Sequence, residues 1–225
     1  MAQFEIDGEK RRRWFELFLV LLVAFGAPFI NSLAVLRTGP SATSYISGGR
    51  WLGAMVQEVA ALLVLGYVLA RRNLRFRDIG LRWSMREVGA GLLVTVAAYL
   101  MYVVGSLIIH FLPIHMSSAN ARSFYVSPSA MIIPFSLLNP FFEELIVRAY
   151  LMTEIMNLTG SYVLAVIASL GVQLSYHLYY GWAGVAALFF QFLILSVYYA
   201  RWRGALPVII AHGFFDMSAA LVRLL

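Results

Sequence analysis

Apolar stretches of 19 to 25 residues recur along the whole chain, and each is long enough to cross a hydrocarbon core of about 30 Å. No other feature narrows the fold so far. Backbone N–H and C=O groups in lipid must find partners inside the same structure, so repeated spans of this length specify a bundle of helices. Charge content agrees. Only 12% of the residues are charged and mean hydropathy is +0.80, where a soluble domain carries about 25% charged residues. The expected class is therefore all-α, a polytopic transmembrane bundle of about seven spans. The 225 residues include no cysteine, which removes disulfides, thiolate metal sites and a cysteine nucleophile.

The spans read as 14–36, 51–70, 88–112, 130–152, 161–180, 182–200 and 204–225. Connections are short, with no internal repeat, so 1–225 is expected to form a single transmembrane domain. The net charge of +6 does not indicate nucleic acid, because the basic residues sit in short runs between spans, where they set orientation. With a cytoplasmic amino terminus, Lys10, Arg11, Arg12, Arg13, Arg71, Arg72, Arg75, Arg77, Arg82, Arg86, Arg201 and Arg203 lie inside. Only Arg37, Arg50, Arg122 and Arg223 lie outside. The basic cluster after MAQFEIDGEK precedes a span too long for a signal-peptide core, so the first span is expected to remain as an anchor. Seven spans put the carboxyl terminus outside, unless the pair meeting at Gly181 is re-entrant.

Ionisable residues far from a span end cost at least about 2.5–3.5 kcal/mol each, so they persist with a partner or a task. In FFEELIVRAYL, Glu144 and Arg148 are four apart and share a helix face in the favourable acid-first order. Glu143 points about 100° away and gains no such partner from its own helix. It is the carboxyl suited to proton transfer. His212 and Asp216, in HGFFD, are again four apart. Such a pair can donate to an oxyanion, orient a water or bind a metal. His177, in LSYHLYYGW, is a third contributor. Glu58, about two turns into its span, is read as snorkelling or pairing with Arg148. His110 and His115 are read as solvated. Pro134 and Pro140 could break the fourth span just before Glu143.

Glu143-Glu144-x-x-x-Arg148 on one span, His177 on the next and His212-x-x-x-Asp216 on a later one resemble the three motifs of the CPBP intramembrane protease family. This family includes CAAX prenyl proteases and bacteriocin-processing or Abi proteins. The stretch RFRDIGLRW also looks like the cytoplasmic loop of bacterial members. The resemblance covers about residues 76–219, so 14–75 would be amino-terminal spans and 76–225 a CPBP-like catalytic core. It implies an intramembrane endopeptidase in which Glu143 and His177 activate water and His212 with Asp216 stabilises the oxyanion. Glu144 and Arg148 would support that geometry. A metal-free glutamic protease is expected; the alternative is a zinc enzyme with Glu143, His177 and His212 as ligands.

Two positions depart from the family pattern. Four residues before His177 an aromatic is usual, and Gln173 stands there. The last motif often ends in Asn, and here it ends in Asp216. An ionised carboxylate cannot donate to an oxyanion, so Asp216 must be protonated, orient His212, or help bind a metal. The expected partners are the lipid bilayer and a peptide or CAAX-type protein substrate, in a bacterial inner membrane. Two rival readings are a peptide-binding or immunity protein without activity, and a small transporter or proton relay.

Overall fold

The computed structural model describes residues 2–38, 48–111 and 131–224. Arg122 and His115 lie outside them. All regular structure among the described residues is helical, with no strand. The helices are α1 (Ala2–Thr38), α2 (Gly48–Arg71), α3 (Met85–Phe111), α4 (Ile132–Glu143), α5 (Met152–Thr159), α6 (Tyr162–Ser175), α7 (Gly181–Trp202) and α8 (Ala205–Leu224). A π-helical segment, Glu144–Leu151, joins α4 to α5 without a break. The chain is thus the expected all-helical bundle, with about seven passes.

Among the described residues, five segments are long and apolar enough to cross a membrane: Gly8–Arg37, Arg50–Arg71, Met85–Phe111, Leu178–Trp202 and Ala205–Val222. Their burial pattern is the reverse of a soluble protein's. Large side chains such as Phe18, Leu63, Leu93 and Leu100 are exposed, whereas Glu143, Glu144, Arg148, Gln173, Gln191 and His212 are buried. In lipid the apolar girdle costs nothing, and buried polar groups bond across helices instead.

The run 132–159 is the central post. Residues 142–155 are buried without interruption, a pattern possible only for a helix surrounded on all sides. Helix α2 and α8 pack against α4, and α6 packs against both α5 and α7. Helix α3 packs on α7 and α8. Gly91 permits the last approach, since a Cβ there would lie 2.9 Å from Ile210. Ser169 and Ser196 bond across α6 and α7 at 3.1 Å.

At one end the basic segments converge. Arg72 bridges Glu16 of α1 and Glu154 of α5, the latter at 2.8 Å, while Arg13 reaches Glu154 at 3.0 Å. Arg203 donates to Thr153 at 2.8 Å. Residues assigned to one side by charge therefore meet at one end of the bundle. Burial pulls the Arg72 guanidinium toward its neutral form, but its bonds to Glu154 and Glu16 outweigh this and hold it above the usual arginine value.

Candidate active site

Pro140, lacking an N–H, sits in the last turn of α4, and the winding loosens just after it. The fourth span is not broken before Glu143. It changes pitch, and a π segment of this kind is often found at functional sites. Glu143 and Glu144 sit at the change, one either side of the boundary, and both face the interior, 5% and 0% exposed.

Glu144 Oε1 accepts from Arg148 Nη1 at 3.0 Å, so the expected pair forms. The same oxygen also meets His212 Nδ1 at 2.7 Å, a link the spacing did not suggest. His212 Nε2 then lies 3.5 Å from Asp216 Oδ1 and 3.9 Å from Glu143 Oε2. The helical face shared by His212 and Asp216 is as expected. Asp216 Oδ2 accepts from Asn139 Nδ2 at 2.8 Å, which ties α8 to α4.

Glu143 is also partnered, though not from its own helix. Its Oε2 accepts from Gln173 Nε2 at 2.5 Å and from Tyr176 Oη at 2.7 Å. Gln173 does more. Its side-chain oxygen accepts from Arg148, and its backbone carbonyl meets His177 Nδ1 at 2.8 Å. The departure from an aromatic at this position is therefore a hub joining Glu143, Arg148 and His177. Asn139 and Tyr176 carry no signal in the sequence, and Gln173 shows there only as a departure from the family pattern, because a neutral polar residue in a span carries little insertion cost and no local pattern marks its partner.

His177 does not lie near the far end of a full-length fifth span. Helix α6 stops at Ser175, after 14 residues, or about 21 Å of rise. The chain turns through Leu178–Tyr180 into α7. Gly181 makes that junction at φ 72° and ψ 169°, a conformation open essentially to glycine alone. His177 thus lies two residues past the end of a short helix, inside the bundle and 8% exposed. Aromatic rings wall the site. Phe25 stacks on Tyr176 with centroids 4.5 Å apart, and Phe192 touches His177, His212 and Arg148.

Glu58 departs from expectation. It is 3% exposed, so it does not snorkel, and Arg148 bonds to Glu144 and Gln173 instead. His110 is exposed as expected. No group of three or more His, Cys, Asp or Glu side chains among the described residues converges as a metal site. Glu143, His177 and His212 are all among the described residues. Both histidine Nδ1 atoms have protein partners, which fixes the rings and leaves the Nε2 atoms toward the site.

No curated protein and no solved structure gives a significant match to the chain. Residues 125–218 match the family model described as Rce1-like, type II CAAX prenyl endopeptidase. That stretch holds every motif residue from Glu143 to Asp216, and over it the chain is similar to the CAAX-type endopeptidase family, in agreement with the resemblance carried by the motifs.

Proposed function

We propose that the protein is a metal-free glutamic endopeptidase that cuts a peptide or CAAX-type protein substrate within the bilayer. The supporting observation is the shared position of Glu143, His177, His212 and Asp216, drawn from three spans and joined through Gln173, Glu144 and Asn139. Glu143 Oε1 and His177 Nε2 carry no hydrogen bond among the described residues, which leaves one free atom on each for a common water.

In this reading Glu143 removes a proton from that water, and His177 holds the water oxygen. The new C–O bond forms at the scissile carbonyl, whose oxygen takes up the electron pair. His212 donates to that oxygen from Nε2. Because Nδ1–H is directed at Glu144, the ring can donate from Nε2 only as an imidazolium, and the carboxylates of Glu144 and Asp216 compensate such a charge. When the C–N bond breaks, Glu143 returns its proton to the leaving amine. Asp216, held by Asn139, orients His212. Arg148 and Glu144 keep the central post in register.

The positive-inside bias gives the membrane side. The end bearing Arg12, Arg13, Arg72 and Arg203 faces the cytoplasm, so the amino terminus is cytoplasmic, and short loops suit a bacterial inner membrane. Elemental analysis of active protein, with peptide cleavage followed under chelation, tests the mechanism. Cleavage should survive chelators, and no stoichiometric metal should be found. One zinc per chain, with activity lost on removal and restored on return, would sink the metal-free reading.

A further inference from the structure

Glu58 is a buried carboxyl near the site that the chemistry above does not use. Its level in the bundle follows from packing. Trp51 of α2, Ile132 of α4 and Ala220 of α8 form one apolar cluster. From that cluster, Glu58 lies seven residues along α2 and Asn139 seven along α4, or about 10 Å deeper in each case. Asp216 lies four residues back along α8. Two turns return a residue to nearly the same face, so Glu58 points where Trp51 points, toward α4 and α8. The charges of Glu143 and Asp216 act on it, in keeping with this placement.

The other carboxyls at the site are engaged. Glu143 takes Gln173 and Tyr176, Glu144 takes Arg148 and His212 on one oxygen, and Asp216 takes Asn139. Glu58 has no hydrogen bond among the described residues, and its Oε2 is fully buried without one. Among the described residues, four carboxyls, Glu58, Glu143, Glu144 and Asp216, share the site with one buried guanidinium, Arg148. The chain as a whole is basic, at +6. A buried acid with no partner is complementary to a cation delivered by a ligand.

We infer that Glu58 is a specificity residue that receives the ammonium or guanidinium group of a basic residue in the peptide substrate. The inference rests on the peptide-site reading but not on hydrolysis. The test uses the wild-type protein in nanodiscs and synthetic peptides that carry lysine or its uncharged counterpart norleucine at each position in turn. Binding is measured on ice, with hydrolysis followed in parallel on warming. At one position the lysine peptide should bind roughly tenfold more tightly than the norleucine peptide. The Glu58→Gln protein should bring that ratio close to one. Equal binding of the two series by the wild type, no binding of either, or a lysine preference that persists in Glu58→Gln overturns the inference. Selective binding without hydrolysis overturns the proteolytic reading alone and leaves the cation site standing.

Discussion

At the residue scale, the proposed mechanism divides the work between adjacent glutamates. Glu144 and Arg148 are fully buried, and one oxygen of Glu144 serves both Arg148 and His212. Removing one member of a buried charge pair costs about 3–5 kcal/mol, because the other is left uncompensated. Glu144→Gln should therefore lower thermal stability in detergent markedly. Glu143→Gln keeps an acceptor oxygen for Tyr176 and should leave the unfolding temperature nearly unchanged, while cleavage falls by about 10²–10⁴-fold, as for loss of a general base. Equal unfolding of the two variants would undo the division. Gln173→Leu removes a donor from Glu143 and an acceptor from Arg148. It should cost about 1–3 kcal/mol and also reduce cleavage, read from melting curves beside initial rates.

The two telling elements are the short α6 and the clamp on α1 and α2. Helix α6 ends at His177's depth because Gly181 allows the chain to turn there. Gly181→Ala forces a backbone state that costs about 1–3 kcal/mol. Its activity loss should exceed what the unfolded fraction explains, because the turn positions His177; a loss matched to the unfolded fraction would mean His177 has no role. The clamp rests on Arg72, whose loss leaves Glu16 without its short-range partner and Glu154 with Arg13 alone. Arg72→Ala should destabilise the bundle by roughly 3 kcal/mol, with Arg72→Lys recovering part of it. Neither feature shows in hydropathy. An apolar run does not reveal where a helix turns inside a bundle, and Glu154 lies beyond the span as read from 130 to 152.

At the scale of the whole molecule, an apolar exterior surrounds a polar centre. Its orientation can be checked cleanly, because no native cysteine competes for a label. Arg77, in the short turn Phe76–Ile79 at the basic end, is exposed; Phe111, at the end of α3, is 82% exposed. In intact spheroplasts an impermeant maleimide should modify the Phe111→Cys protein and spare Arg77→Cys until the membrane is opened. The reverse pattern would invert the orientation.

Length and hydropathy alone determined the class, since a bilayer leaves an apolar run of 20 residues little choice but a helix. The cost of burying charge marked Glu143, Glu144, Arg148, His177, His212 and Asp216 from the sequence, and the i,i+4 spacing already paired Glu144 with Arg148 and His212 with Asp216. Only the tertiary structure decided which helices share those charges. It set Gln173 beneath His177, brought Asn139 to Asp216, joined His212 to Glu144 and left Glu58 without a hydrogen-bond partner among the described residues. The reason is physical. Insertion cost belongs to one residue and can be read locally, whereas a hydrogen bond between α4 and α6 or α8 depends on how distant segments pack and rotate.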